Sequence, residues 1–129
     1  MTSPALHRRV PMIALVALGG AGGALARAAV AEGLHTPWAT LAVNLVGALV
    51  LGALLEFFTR TGDRPGWRLL LGTGFCGAFT TYSTFAREVS DRSMTGGTLL
   101  AAGEVVLGLT VAAAGALIAA RLVPKRVEQ

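Results

Sequence analysis

Four long apolar blocks, separated by short polar stretches, organise this chain. No charged residue interrupts residues 10–26, 36–55 or 69–86, and the fourth block, 93–120, carries only Glu104. A run of about 20 apolar residues matches the hydrocarbon thickness of a bilayer. The pattern predicts four transmembrane helices over approximately 10–31, 37–58, 68–89 and 97–122, joined by loops at 33–37, 59–67 and 90–97. Pro37 and Pro65 suit loop-to-helix entries. Trp38 and Trp67 open the second and third blocks, where amphipathic aromatics favour the headgroup level. Four crossings use nearly all of the 129 residues. The expectation is an all-α membrane protein, a single transmembrane domain over 1–129, multi-pass in the plasma membrane.

Composition agrees: 53% of residues are hydrophobic and 14% charged. The net charge of +4 would raise nucleic acid as a partner in a soluble protein. Here the basic residues flank the apolar blocks, so topology explains them. The lipid bilayer is the expected partner, and nucleic acid is not. His7-Arg8-Arg9 ahead of an apolar stretch also fits a signal peptide, but three more blocks follow, and a retained first helix is expected. Cys76, the sole cysteine, has no partner for an intramolecular disulfide. No catalytic motif is present: no Ser-His-Asp arrangement, no HExxH, no phosphate-binding loop. The expectation is that the chain is not an enzyme.

The third block departs from a lipid-facing helix. Gly74-Phe75-Cys76-Gly77-Ala78-Phe79-Thr80-Thr81-Tyr82-Ser83-Thr84-Phe85 packs glycine, hydroxyls and aromatics together. Irregular backbone at membrane depth is tolerated only where protein buries it or where it lines a polar path. A helix broken near its middle is predicted here. Tyr82 and Phe85 are three apart and share a helical face. Interleaved with Thr80, Thr81, Ser83 and Thr84, they mix hydroxyl donors with the positive edges of aromatic rings. That mixture suits a small anion stripped of water. Carbonyls released at a break suit a cation.

Other polar groups inside the blocks invite functional readings, because burying them is costly. Arg27 either snorkels to the interface or supplies positive charge at a vestibule. Asn44, with Thr40 one turn before it, either donates to an anion or ties two helices together. Glu104 is a proton-coupled carboxylate, a structural partner or a residue near the bilayer surface. Glu56 and Glu88, near helix ends, are expected to be solvent-exposed. Small residues recur at four-residue spacing, at Gly19 and Gly23, Ala48 and Gly52, and Gly108, Ala112 and Ala116, which favours close helix packing.

These residues resemble the Fluc (CrcB) family of fluoride channels. Residues 19–27, a glycine-rich run ending in Arg27, resemble the family's opening motif. Residues 37–47 resemble its second-helix motif ending in Val-Asn-x-x-Gly. Residues 74–85 resemble its signature, Gly-Phe-x-Gly-x-x-Thr-Thr-(Phe/Tyr)-Ser-Thr-Phe. The resemblance implies passive, selective fluoride efflux that relieves cytoplasmic fluoride toxicity. It implies a four-helix subunit in an antiparallel dimer, with a structural sodium ion, not transported, at the dimer centre. It assigns the sodium-binding main-chain carbonyls to Gly77 and Thr80. It places the fluoride pathway at Asn44, Tyr82 and Phe85, with Thr81 and Ser83 beside them, and a vestibule or structural charge at Arg27. Gly77 is expected to allow unusual backbone geometry there.

Two positions depart from the family pattern. Tyr82 stands where Phe is frequent. The fourth block lacks a serine-rich polar track, and Glu104 stands about where one such serine belongs. An ionised carboxylate beside an anion path repels fluoride, so Glu104 is expected to be protonated, paired or turned away. The competing reading is a small four-helix proton-coupled multidrug exporter. That chemistry needs a membrane-embedded acid in the first helix, and the first block has none. A non-transporting assembly subunit would not need the hydroxyl-aromatic break. The positive-inside rule adds a constraint on partners. Eight basic residues, Arg8, Arg9, Arg60, Arg64, Arg68, Arg121, Lys125 and Arg126, flank one side, against Arg27, Arg87 and Arg92 on the other. Such a bias favours one orientation, so the antiparallel second subunit is either a copy of this chain or a homologous, oppositely oriented one.

Overall fold

A computed structural model of the chain describes residues 6–62 and 64–125. All regular structure among them is helical: α1 (Leu6–Gly33), α2 (Trp38–Thr61), α3 (Pro65–Trp67), a π-helical stretch (Arg68–Cys76), α4 (Gly77–Phe79), α5 (Tyr82–Ser90) and α6 (Met94–Leu122). Three helices are long and apolar enough to cross a membrane: residues Val10–Gly33 of α1, all of α2 and all of α6. The third apolar block is helical too, but in pieces. Its π-helical stretch begins directly after α3, and the Gly77 amide reaches back to the Gly72 carbonyl, five residues earlier. Such widened turns are rare and concentrate at functional sites.

Local chemistry sets the ends. Pro37 precedes α2 and Pro65 opens α3, where a missing N–H costs nothing. Gly62 ends α2 at φ 97°, a left-handed conformation that glycine adopts without Cβ strain. Ser93 caps α6, its hydroxyl accepting from the Gly96 amide at 3.3 Å. Thr81 caps α5 in the same way, accepting from the Thr84 amide at 3.3 Å. Capping hydroxyls satisfy amides that the first helical turn leaves open.

Packing pairs α1 with the π-helical stretch and α4, and α2 with α6. Glycine makes both contacts close. A Cβ on Gly19 would strike the Leu70 carbonyl, and one on Gly23 the Phe75 carbonyl. One on Gly52 would strike the Ala112 carbonyl, and one on Gly115 the Leu49 carbonyl. Backbones this near gain dispersion where lipid removes the hydrophobic drive for association. Gly108 faces open space in the single chain, and the contact on α6 runs through Ala112 and Gly115. The fully enclosed interior is small. Val43 and Thr40 are each 2% exposed, and Leu18, Leu109, Leu117 and Leu122 lie outward. An outward apolar surface is what lipid or a second subunit covers.

Candidate functional site

The continuous helix stops at Phe79. Thr80 (φ −75°, ψ 160°) and Thr81 (φ −140°, ψ 117°) are extended, and the helix resumes at Tyr82. Two extended residues at this depth release main-chain groups that lipid cannot satisfy. Side chains from α1 and α2 take them up. Asn44 holds both polar groups of Thr81: its Oδ1 accepts from the Thr81 amide at 2.9 Å, and its Nδ2 donates to the Thr81 carbonyl at 3.3 Å. Arg27 donates from Nη1 to the Thr80 carbonyl at 3.3 Å. The Thr80 amide and hydroxyl both return to the Cys76 carbonyl, at 3.1 Å and 3.0 Å. The Thr81 hydroxyl donates to Thr84 Oγ1 at 3.1 Å and lies 3.4 Å from Ser83 Oγ.

Asn44 therefore ties α2 to the break and at the same time lines a cavity beside it. An amide nitrogen carries two hydrogens; the Thr81 carbonyl takes one. The guanidinium of Arg27 turns inward to the break. Gly47, one turn after Asn44, is needed for the approach, because a Cβ there would strike the Thr80 methyl.

The break separates two cavities that share Thr81. The first, 380 Å³, is lined by Arg27, Thr36, Thr40, Thr81, Ser83 and Thr84, with small apolar residues of α1 and α2. The second, 240 Å³, is lined by Asn44, Thr80, Thr81, Tyr82, Phe85, Glu104 and Val105. Tyr82 and Phe85 stand with ring centroids 6.2 Å apart, tilted 52°. Tyr82 is 81% exposed in the single chain. Asn44, Thr81, Tyr82 and Phe85 thus share one cavity, whereas Ser83 joins Arg27 in the other. The α5 N-terminus adds partial positive charge at the same place.

Gly77 lines neither cavity. The unusual backbone expected there is absent: Gly77 is helical (φ −63°, ψ −32°), and a Cβ would meet nothing within 4 Å. The irregular pair is Thr80–Thr81, where the hydroxyl of Thr81 supplies the new cap. The effect on the Gly77 carbonyl is indirect. Its usual helical donor, the Thr81 amide four residues on, is diverted to Asn44.

Glu88 corrects a second expectation. It is half-buried rather than exposed. Its Oε1 accepts from the Thr40 hydroxyl at 2.6 Å, and its Oε2 is buried without a partner among the described residues. The signal was available: Glu88 follows Phe85 by three and Thr84 by four, so all three share one face of α5. Glu56, expected to be exposed as well, is also half-buried, ion-paired one turn away with Arg60 at 2.6 Å.

The fold and this site define a class: a multi-pass, all-helical membrane protein built around an interrupted helix whose break is lined by donors and aromatic rings. The comparison with known families is specific. The family described as CrcB-like protein, Camphor Resistance (CrcB), matches residues 14–120, and the chain belongs to that family. A relative from Cutibacterium acnes, named fluoride-specific ion channel FluC 1, is 43% identical over 128 residues, covering 92% of this chain and 87% of its own. The protein of the same name from Yersinia pestis is 43% identical over 114 residues, covering 84% and 90%. The fluoride-specific ion channel FluC of Koribacter versatilis is 41% identical over 115 residues, covering 84% and 91%.

Proposed function

We propose that the chain is one subunit of a fluoride-selective channel that lets fluoride leave the cell passively and so relieves cytoplasmic fluoride toxicity. It is not an enzyme. The observation that carries the reading is the break itself, with Asn44, Tyr82 and Phe85 on one side and Arg27 and Ser83 on the other, in a chain whose relatives bear the name of fluoride channels. Fluoride is small and strongly hydrated, so a path must replace its water. The second hydrogen of the Asn44 amide, for which the Glu104 carboxylate competes, the hydroxyl of Ser83, the hydroxyl of Thr81 once it turns from Thr84, and the ring edges of Tyr82 and Phe85 are such replacements. Arg27 draws anions to the mouth of its cavity. The flux test uses vesicles holding the purified protein. Fluoride is expected to leave at a rate at least roughly a hundredfold above chloride, a discrimination of about 2.7 kcal/mol. Equal rates would overturn the reading.

The proposal includes a fourth crossing made by α3 through α5, and an antiparallel dimer. Tyr82, exposed in the single chain, would then be covered by the second subunit. It also includes a structural sodium ion held by the Gly77 and Thr80 carbonyls. The residues fit such an ion. Oxygen atoms suit a hard cation, and the main-chain oxygens freed at the break are the ligands assigned here. The Gly77 carbonyl has lost its usual helical donor to Asn44. One lone pair of the Thr80 carbonyl goes to Arg27, and the second is left for a cation. Two carbonyls are too few for a hard cation, and a second subunit doubles them. Bound sodium would neutralise these carbonyl dipoles and pin the two breaks together.

Orientation bears on the partner. With four crossings, the basic residues divide eight against three, which directs both termini to the cytoplasm. An antiparallel partner then has to insert the other way, which points to a homologous chain of opposite bias, with homodimers forming when this chain is expressed alone. Reporter fusions at the C-terminus are expected to give a predominantly cytoplasmic signal. Equal signals on the two sides would mean dual insertion and remove the case for a second chain.

A further inference from the structure

Glu104 is the one acid in the middle of α6, and three arrangements would reconcile it with an anion path: facing away, pairing with a cation, or losing its charge. The geometry removes the first two. Glu104 is half-buried and lines the same cavity as Asn44, Tyr82 and Phe85. No Lys or Arg among the described residues lies within ion-pair distance of it, the one such pair being Arg60–Glu56. Its charged surroundings add repulsion. From α5 it faces Tyr82, and Glu88 of the same helix adds like-charge repulsion. α2 offers Leu41 and Asn44, neither titratable, and the Asn44 amide is a hydrogen-bond donor to the carboxylate that offsets part of this repulsion. Arg27 of α1 is held on the first cavity by the Thr80 carbonyl. Arg92, beyond α5, shares with Glu104 an adjoining cavity of 370 Å³ that runs past Leu41 to Pro37 and Trp38. Glu104 thus stands between the donor-lined cavity and one that reaches the first and third loops, where water can deliver a proton.

We infer that Glu104 is an electrostatic gate on the anion path: its carboxylate opposes fluoride entry to the Asn44–Tyr82–Phe85 cavity, and uptake of one proton by that carboxylate, with no proton carried across, opens it. The inference rests on the fluoride-channel reading. A unit charge within a few ångströms of a poorly hydrated path weighs heavily against an anion, because the local dielectric is far below that of water. The gate has a chemical rationale. Fluoride enters cells as the neutral acid HF when the surroundings are acidic, so a path that opens with protonation opens when fluoride accumulates.

The experiment measures fluoride flux from vesicles reconstituted with the purified full chain, across a pH series, after subtracting the leak of protein-free vesicles at each pH. Wild-type flux is expected to rise roughly tenfold or more from mildly alkaline to acid pH. Glu104→Gln is expected to carry flux at alkaline pH close to the wild-type acid level, and to show no slope. Glu104→Asp keeps an ionisable group and is expected to keep the slope, which a loss of packing would not reproduce. Wild-type flux independent of pH, or a Gln variant as steep as wild type, overturns the gate while leaving the channel reading intact. No fluoride flux from either protein at any pH overturns both.

Discussion

Asn44→Leu is expected to abolish fluoride flux and to lower the stability of the folded subunit by roughly 2–6 kcal/mol, the cost of leaving two buried polar groups unpaired at about 1–3 kcal/mol each. The two groups are the amide and carbonyl of Thr81, both held by the Asn44 side chain. No other side chain among the described residues is bonded to either; the first turn of α5, which Thr81 caps, shares the carbonyl, so the loss is expected in the lower half of that range. Water cannot replace a partner at this depth without opening the bundle. The lost energy is a large share of what holds an ordinary domain together. Asn44→Asp separates the two contributions. Its carboxylate still accepts from the Thr81 amide but has no hydrogen for the Thr81 carbonyl. About half of the lost stability is expected back, without flux, because the amide donor is gone and a negative charge stands in its place. Thermal unfolding in detergent and vesicle flux read the two effects separately. A Leu variant that melts with the wild type would mean that the break is held by something other than Asn44.

The sequence made the helices legible because each apolar block is long and almost free of charge. Expected bounds of 10–31, 37–58 and 97–122 became Leu6–Gly33, Trp38–Thr61 and Met94–Leu122; helix ends drift because caps and fraying settle them locally. The interruption of the third block was legible as well, since four Ser or Thr residues and two glycines in twelve positions disfavour a lipid-facing helix. Its position was less so. Glycine drew attention to Gly77, but an isolated glycine is compatible with a regular helix, and the chain turns extended at Thr80–Thr81, where Asn44 and Arg27 supply partners from other helices. Glu88 was misread because its proximity to a helix end suggested water, while a long-range bond to Thr40 draws it inward. Facing was the hardest property to read. α6 is apolar nearly all round, so periodicity has nothing to orient it. The four-residue series on α6 favoured close packing without saying which of its members meets α2: Ala112 does, against Gly52, while Gly108 faces open space.

That facing yields the last prediction. Gly52→Ala is expected to destabilise the subunit by about 1–3 kcal/mol, the usual range for forcing an extra carbon into a packed contact. Gly108→Ala is expected to stay within about 0.5 kcal/mol of wild type. The two substitutions add the same methyl group to apolar transmembrane helices, and helix propensity favours both equally. They differ in what the methyl meets. At Gly52 it runs into the main chain of Ala112, which has no rotamer to change, so α2 and α6 must part. At Gly108 there is nothing within 4 Å. Separation of α2 from α6 also carries Asn44 away from Glu104, across the cavity that both line. Flux is therefore expected to fall with stability in Gly52→Ala and in the matching Gly115→Ala, whose methyl would meet the Leu49 carbonyl. Thermal melts of the three variants in one detergent check the order. Should Gly108→Ala melt as low as Gly52→Ala, the open face of α6 is itself packed against a second subunit.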